Sequence, residues 1–219
     1  MAYFPFLTDI SEKRCLVVGG GRIAFQKVKI LRDFGVKIRV VAEEIGEEVR
    51  ALKKESMSGS QTLPIEIWER NFVKEDILGM DFVIAATDNE ELNHAVSKLC
   101  RENRIPVNAV DKKEDCDFIF PALIRKGDIL VAVSTGGSSP AAAAFLKQRI
   151  SCCIPEYYGG MVEQLGEYRE EIKEQVADAG ARKELFYRLL SYGEAHDGEI
   201  PEQVMRELLM EYARNSEGI

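Results

Sequence analysis

One stretch decides the fold of this chain: Val17-Val18-Gly19-Gly20-Gly21-Arg22-Ile23-Ala24. It follows the pattern G-x-G-x-x-A, in which Gly19 permits a tight turn and Gly21 lets the backbone approach a pyrophosphate. Ala24 is small enough for the following helix to pack closely on a sheet. Arg22 and Ile23 open that helix, where free N–H groups and the positive end of the helix dipole favour a phosphate. The stretch therefore predicts a Rossmann-type dinucleotide site.

Strand-like and helix-like segments alternate around this stretch. Short apolar runs with strand character occupy 14–18, 38–41, 65–68, 81–86 and 105–110. Apolar residues at helical spacing occupy 22–34, 43–55 and 89–103, while 56–61 has the composition of a loop. Gly35 suits a left-handed C-cap. Strands joined by helical crossovers predict an α/β fold with a Rossmann-type, doubly wound parallel sheet.

The pattern changes after Asp111. Apolar runs at 118–124 and 129–133 flank the turn-like sequence Arg125-Lys126-Gly127-Asp128. Two apolar runs around such a turn predict a β-hairpin, which we call the β-arm.

A helical region is predicted after the β-arm. Ser139-Pro140 fits the N-cap and first position of a helix over 140–150, and the later residues keep helical spacing. We therefore expect a Rossmann domain over 1–113, a β-arm segment over 114–150 and a helical region over 151–219. The part after the sheet looks too thin to bury a core of its own, which favours a partner subunit.

Composition limits the classes of partner and compartment. The formal net charge is −8, and residues 155–219 hold 15 acidic and seven basic side chains, whereas 1–154 is neutral. The chain has no basic stripe, so we do not expect nucleic acid as a partner. It has no apolar run of roughly 18–20 residues that could span a bilayer, and its N-terminus lacks the features of a signal peptide. We expect a cytoplasmic protein that is not bound to a membrane.

The five cysteines predict neither disulfides nor a metal site. Their number is odd and no C-x-x-C pair occurs. Cys152-Cys153 is a candidate soft-metal or redox pair, but His94 and His196 are the only histidines available to complete such a site. We therefore predict no resident metal.

Two glutamates follow the second predicted strand. Glu43 and Glu44 lie about 20 residues after the glycine stretch, where an acidic residue binds the adenosine ribose in dinucleotide-binding proteins. Their charge would repel a 2′-phosphate, which favours NAD over NADP. The alternative is that they begin a helix at the favourable end of its dipole.

Further polar residues follow the fourth and fifth strands. Thr87, Asp88 and Asn108 are candidate cofactor contacts, because the carboxyl ends of parallel strands form the ligand-binding edge of an open α/β sheet. Asp88 could instead cap the next helix. Asp111 ends the fifth strand, and an ionised side chain there is hard to explain by packing, which makes it a candidate for function. The alternative is that its side chain has a structural capping role.

Taken together, these motifs resemble the precorrin-2 dehydrogenases, which are NAD-dependent enzymes of sirohaem synthesis. The resemblance covers roughly residues 1–160 and rests on five motifs in order: Gly19-Gly20-Gly21 followed by Lys27, Ala85-Ala86-Thr87-Asp88, Asn108-Ala109-Val110-Asp111, Phe118-Ile119-Phe120-Pro121 and Ser134-Thr135-Gly136-Gly137-Ser138-Ser139-Pro140. The stretch between Asp111 and Pro140 is the most specific, because ordinary dehydrogenases lack it. The family often has Ala-Pro-Glu at the end of the second strand, whereas this chain has Ala42-Glu43-Glu44.

The resemblance implies an activity and an assembly. It implies NAD-dependent oxidation of precorrin-2 to sirohydrochlorin in a homodimer that exchanges its β-arms, with Asp111 as the catalytic residue. It also implies that the tetrapyrrole binds near Ser134, Thr135, Gly136, Gly137 and Ser138. Thr135 matches a position that can be a phosphorylated serine in relatives. Some members also insert Fe²⁺, which they would hold only transiently, and no motif separates them from the others.

The substrate of that family carries eight carboxylates, so an acidic chain needs local cations to bind it. The cations near the candidate site are Lys112, Lys113, Arg125, Lys126, Lys147 and Arg149. Among them, Lys112 and Arg125 are our candidates for contacts with the substrate carboxylates. Each could equally be a solvated surface charge.

Two other functions remain as alternatives. One is an NAD-dependent dehydrogenase of another small substrate, which would leave the stretch from Asp111 to Pro140 unexplained. The other is a non-catalytic NAD(H)-sensing regulatory module, which has no need of a carboxylate at Asp111.

Overall fold

A computed structural model describes residues 3–58, 63–110 and 112–216 of the chain. The chain divides into two compact units, Met1–Phe120 and Pro121–Ile219.

The first unit contains a five-stranded parallel sheet with helices on both faces. Its strands are β1 (Arg14–Val18), β2 (Lys37–Ala42), β3 (Glu66–Glu69), β4 (Phe82–Ala85) and β5 (Val107–Ala109), and its helices are α1 (Arg22–Arg32), α2 (Glu47–Ser58) and α3 (Glu90–Glu102). The strand order is β3-β2-β1-β4-β5. This order confirms the predicted doubly wound sheet. The order reverses beside β1, so the glycine stretch lies at the switch point where ligands of such sheets bind.

Successive residues of β1 are buried in two different hydrophobic cores, one on each face of the sheet. Val17 is completely buried with Val40 and Ile84 on the face covered by α1 and α2. Leu16 is buried with Val83 on the opposite face, which α3 covers. Burial on both faces explains why the strand is a continuous apolar run rather than an alternating one.

The predicted start of the second helix is wrong. Helix α2 begins at Glu47 instead of 43, because the chain first crosses the glycine turn. There Gly46 donates its backbone N–H to the carbonyl of Gly20 at 2.9 Å. Glu43 and Glu44 therefore do not begin the helix, and that alternative for them is excluded.

The predicted loop at 56–61 is also partly wrong. Helix α2 continues to Ser58, and the hydroxyl of Ser56 donates to the carbonyl of Lys53 at 2.8 Å. This bond satisfies a polar side chain that is almost fully buried in the last turn. The remainder of the predicted loop, 59–61, lies outside the described residues.

The second unit contains an antiparallel hairpin followed by helices. Its elements are β6 (Ala122–Lys126), β7 (Ile129–Val133), α4 (Pro140–Cys152), α5 (Tyr157–Glu167), α6 (Arg169–Gln175), α7 (Ala179–Ala195) and α8 (Glu202–Ser216). The first hairpin strand begins later than the predicted 118, because Pro121 lacks a backbone N–H and cannot donate to a strand ladder. The predicted cap of α4 is confirmed, since Ser139 accepts a hydrogen bond from the N–H of Ala142 at 3.1 Å.

The helices of the second unit bury a core of their own. Met161, Ile172, Leu185, Leu189 and Met205 are all almost completely buried in one cluster. The expectation that this part of the chain is too thin to form a core is therefore wrong for these helices.

Helix α3 is capped by Asn89 and not by Asp88. The side chain of Asn89 accepts a hydrogen bond from the N–H of Leu92 at 3.0 Å, and Asn89 has the extended backbone typical of an N-cap. Asp88 is exposed. The capping alternative for Asp88 is therefore wrong.

Substitution of each of these two neighbours tests the assignment of the cap. Asn89→Ala should lower the free energy of unfolding by about 1 kcal/mol, because an N–H at the helix start loses its acceptor. Asp88→Ala, the matched control, should change it by less than about 0.5 kcal/mol. Urea denaturation followed by circular dichroism measures both. Equal losses, or a larger loss for Asp88→Ala, would contradict the assignment.

Candidate functional site

The first two glycines bring three backbone segments together at the carboxyl edge of the sheet. Gly19 has a φ of +119°, and a Cβ placed there would lie 2.2 Å from the carbonyl oxygen of Ala86. A Cβ at Gly20 would lie 2.2 Å from the carbonyl oxygen of Glu44. Gly19 also donates its N–H to the carbonyl of Val41 at 2.9 Å. Both positions therefore require glycine for packing, and the requirement at Gly20 is one that the motif alone did not predict.

The third glycine faces open space. A Cβ at Gly21 would meet no atom of the described residues within 4 Å. Gly21 is the N-cap of α1, no side chain caps this helix, and its first turn has no acidic residue. Arg22 and Ile23 are exposed, whereas Ala24 is completely buried against the sheet. This leaves an open cradle of backbone N–H groups that fits a pyrophosphate.

The two candidate ribose-binding glutamates lie beside this cradle. Glu43 directly follows the last residue of β2, and Glu44 places its backbone carbonyl against Gly20. Both side chains are exposed. Their location at the end of β2 agrees with the predicted role, and which of them contacts a ribose stays a prediction.

Thr87 is held by a residue that the sequence analysis missed. The hydroxyl of Thr87 donates to Oδ1 of Asn93 at 2.8 Å, and Nδ2 of Asn93 donates to the carbonyl of Thr87 at 2.9 Å. Asn93 is almost fully buried on α3. An asparagine among the buried positions of a helix was the signal for this role. The pair fixes the turn after β4, so a cofactor contact by Thr87 stays a prediction alongside this structural role.

Asn108 fixes the chain that returns along β5. It is 7% exposed, and its Nδ2 donates to the carbonyl of Phe118 at 2.8 Å. The thiol of Cys116 donates to the carbonyl of Ala109 at 2.9 Å and lies 3.3 Å from that of Lys112. These bonds hold the returning segment against the end of β5, and a cofactor contact by Asn108 stays a prediction.

Helix α3 binds the same returning segment, 112–117, along its length. Lys112 forms an ion pair with Glu90 at 2.9 Å, and this hydrogen bond raises the pKa of Lys112. One turn further along α3, Nδ1 of His94 lies 2.9 Å from Oδ1 of Asp115, a carboxylate that is almost completely buried. The segment is therefore fixed both to the strand edge and to the helix.

Asp111 itself lies outside the described residues, but both of its chain neighbours make contacts with the first unit. Val110 donates its N–H to the carbonyl of Ala85 at 2.9 Å, and Lys112 is paired with Glu90. Val110 therefore lies at the carboxyl edge of the sheet, beside the end of β4. Catalysis by Asp111 stays a prediction.

The loop from Ser134 to Ser138 in the second unit is a compact turn before α4. The hydroxyl of Thr135 accepts from the N–H of Ser139 at 3.1 Å and donates to the carbonyl of Ser139 at 3.0 Å. Gly136 and Gly137 both have positive φ angles, which suit glycine. Ser134 and Ser138 are exposed. Substrate binding by these residues stays a prediction.

Two of the cations proposed around the substrate differ in their environment. Arg125 is exposed on β6. Lys126 is only 10% exposed, because its ammonium donates to the carbonyl of Ile154 and pairs with Glu156 at 2.6 Å. Lys126 therefore serves the structure of the second unit and not a solvent-facing site.

Membrane-spanning helices and clusters of metal ligands are both absent from the described residues. No helix within 3–58, 63–110 and 112–216 is long and apolar enough to cross a membrane. Over the same ranges, no three His, Cys, Asp or Glu side chains converge as the ligands of a metal ion would.

The different surroundings of the three glycines give a direct test of the cradle. Gly21→Ala should leave the free energy of unfolding within about 0.5 kcal/mol of the parent, because the new methyl group meets open space. It should weaken NAD⁺ binding about tenfold, because the methyl group occupies the approach of the pyrophosphate. Isothermal titration calorimetry and urea denaturation measure the two quantities.

Gly20→Ala is the matched control for this test. It should destabilise the fold, because its methyl group would overlap the carbonyl of Glu44. A Gly21→Ala variant that binds NAD⁺ as tightly as the parent would contradict the cradle assignment.

Comparison with known proteins agrees with this geometry. Residues 6–122 match the model of a family described as "Putative NAD(P)-binding". A siroheme synthase of Thioalkalivibrio sulfidiphilus is 42% identical over 190 residues, which cover 87% of this chain and 37% of that protein. A siroheme synthase of Pseudomonas aeruginosa is 34% identical over 205 residues, which cover 94% of this chain and 41% of that protein. The chain thus spans well under half the length of these curated relatives.

A solved structure shares the whole fold. The protein titled "SirC, precorrin-2 dehydrogenase" superposes with a TM-score of 0.69 at 24% identity, over 97% of this chain and 100% of that one. The comparisons confirm the resemblance that the sequence motifs indicated. Because the family model spans more than half of the sequence, this chain belongs to the family described as "Putative NAD(P)-binding".

Proposed function

We propose that this chain oxidises precorrin-2 to sirohydrochlorin with NAD⁺ as the oxidant. The observation that carries the proposal is the open N–H cradle at Gly21, at the switch point of the sheet, in a chain similar to siroheme synthases and to a precorrin-2 dehydrogenase. The cradle supplies a place for the cofactor. The relatives supply the substrate class.

The residues around the cradle fit a dinucleotide, and they favour NAD. Backbone N–H groups from Gly21 to Ala24 would hold the pyrophosphate, with the guanidinium of Arg22 exposed at the same helix end. Glu43 and Glu44 would accept hydrogen bonds from the adenosine ribose. Two carboxylates beside that ribose disfavour a 2′-phosphate, so NAD should bind more tightly than NADP.

The reaction removes a hydride and a proton from the tetrapyrrole. NAD⁺, when bound, accepts the hydride. Asp111 is our candidate to accept the proton as a general base, or to stabilise the positive charge that develops on the substrate as the hydride leaves. Its chain neighbours Val110 and Lys112 are both held by named partners. Such anchoring suits a general base, whose position relative to the substrate must be controlled.

Substrate binding requires cations, because precorrin-2 carries eight carboxylates and the chain is acidic overall. We propose Lys112 and Arg125 as carboxylate contacts, with the turn Ser134–Ser138 close to the bound tetrapyrrole. The ion pair with Glu90 raises the pKa of Lys112, so its charge persists throughout the neutral pH range.

Substitution of the candidate base tests the activity. Anaerobic incubation with precorrin-2 and NAD⁺ should give NADH and sirohydrochlorin. The absorbance of the two products measures their formation. Asp111→Asn should lower kcat about 100-fold or more, because it removes the proton acceptor. Its affinity for NAD⁺ should stay unchanged. Glu114→Gln, an exposed carboxylate in the same segment, is the matched control and should retain full activity.

Other results of this experiment would contradict the proposed activity or the proposed role of Asp111. A parent protein that binds NAD⁺ but forms no sirohydrochlorin would contradict the proposal and leave a dehydrogenase of another substrate or an NAD(H)-sensing module. Full activity of Asp111→Asn would contradict the role of Asp111. Addition of Fe²⁺ after oxidation tests the second activity of the family, for which Asp111 would accept the pyrrole protons that the metal displaces.

We also propose that the chain is a homodimer whose contact includes the β-arm and α4. Ala143 is the one buried residue among the thirteen of α4, while Phe145 and Leu146 are 58% and 43% exposed. In the β-arm, Ile124 is the one buried residue among the ten strand positions. Apolar side chains exposed together in this way are typical of a surface that another chain covers.

A charge on α4 tests this assembly. Phe145→Asp should convert the dimer to a monomer at micromolar concentration, because dimerisation would bury the new carboxylate. Met210→Asp is the matched control, since Met210 is similarly exposed on α8. Sedimentation velocity measures both variants. A monomeric parent protein, or a Phe145→Asp variant that stays dimeric, would contradict the proposal.

A further inference from the structure

Lys27 on α1 forms no ion pair with an acidic group among the residues that the structure describes. Its ammonium lies 3.8 Å from the centre of the Phe120 ring. Within the described parts of the chain, no ion pair or hydrogen bond reaches this ammonium, although the side chain is largely removed from water. An aromatic face compensates only part of the lost hydration of an ammonium group. Lys27 is therefore a desolvated cation with room for an anionic partner.

The surroundings of Lys27 connect it to the candidate catalytic position. Among the described residues, the titratable group whose charge affects the pKa of Lys27 is the thiol of Cys116. That thiol is bonded to the carbonyls of Ala109 and Lys112. Lys27 therefore lies near two residues, Ala109 and Lys112, that stand on either side of Asp111 in the sequence.

Lys27 is separate from the phosphate cradle. It lies six residues beyond Gly21 on the same helix, which corresponds to about 9 Å along the helix axis. The N–H groups that fit a pyrophosphate belong to the first turn of α1. The anion that Lys27 would meet is therefore a different one from the cofactor phosphates.

We propose that the ammonium of Lys27 binds a carboxylate of the tetrapyrrole substrate beside Ala109 and Lys112. This inference rests on the proposed function, which supplies a substrate with eight carboxylates. Lys27 would fix one edge of the substrate next to Asp111. It would contribute to binding and orientation, and it would take no part in proton transfer.

If Lys27 binds a substrate carboxylate, its ionisation should make the affinity for the substrate depend on pH. Burial lowers the pKa of Lys27 to about 8, and the nearby Cys116 opposes this change. The charge is present below that pH and is lost as the pH rises through it. The pKa of Cys116 is raised, chiefly by burial, so its thiol stays neutral while Lys27 titrates. The free enzyme should therefore lose affinity for the carboxylate above about pH 8.

Two substitutions separate the charge of Lys27 from its packing. Lys27→Met keeps most of the length of the side chain and removes the charge, and it should lower kcat/KM for precorrin-2 about tenfold at pH 7 with little change in kcat. Lys27→Met should also abolish the decrease in kcat/KM that the parent protein shows above about pH 8. Lys27→Arg keeps a charge that does not titrate, so it should restore binding and move the fall to higher pH. Direct titration of the protein with sirohydrochlorin, followed by fluorescence, measures affinity without turnover.

Lys29→Met is the matched control, because it removes an exposed charge from the same helix and should behave as the parent protein. Unchanged NAD⁺ binding in Lys27→Met verifies that the fold is intact. Lys27→Met with the same kcat/KM and pH profile as the parent would overturn the inference, as would Lys27→Arg with the same loss as Lys27→Met. A parent protein that neither binds nor oxidises the tetrapyrrole would instead contradict the proposed function itself.

Discussion

The carboxyl edge of the sheet depends on one steric constraint, the close approach of backbone to backbone at Gly19 and Gly20. The carbonyls of Ala86 and Glu44 lie 2.2 Å from the places where a Cβ would be, well inside any van der Waals contact. A methyl group at either position would have to displace the chain that leaves β4 or the chain that leaves β2. Because both chains belong to strands paired with β1, the turns after three strands are fixed together.

The three consecutive glycines have two different roles, because two of them are required for packing and the third leaves space for a ligand. Gly19 and Gly20 are needed because neighbouring backbone occupies the space of a side chain. At Gly21 a methyl group would have no neighbour within 4 Å in the part of the chain that the structure describes, so the lack of a side chain leaves space at the start of α1. Because α1 has no capping side chain among the described residues and no acidic residue in its first turn, the N–H groups of that turn are available to a ligand. The close packing of Gly19 and Gly20 thus fixes the position of Gly21, which faces the open edge of the sheet.

Strands and helix caps that follow from adjacent residues could be predicted from the sequence. A helix boundary that is set by a contact with a distant part of the chain could not. The strands of the sheet and the Ser139 cap follow from local patterns, and the structure confirms them. The start of α2 depends on Gly46 meeting Gly20, and the turn after β4 depends on Asn93 six residues beyond Thr87. The first contact has no local pattern, because only the folded sheet brings Gly46 and Gly20 together. The second joins residues close in the sequence, and its signal, an asparagine at a buried position of a helix, was missed.

The distribution of charge sets a further condition on the proposed chemistry. Residues 155–219 carry the whole net charge of −8, so the long-range field of the chain does not attract a polycarboxylate. Affinity must then come from short-range contacts. Lys112 already pairs with Glu90, and Lys126 with Glu156, so these cations offer a carboxylate less than an unpaired one does. Lys27 has lost hydration without gaining a carboxylate partner from the described residues, and a substrate carboxylate would compensate for that lost hydration. A single such cation near Ala109 and Lys112 would bind the substrate and orient it through the same contact.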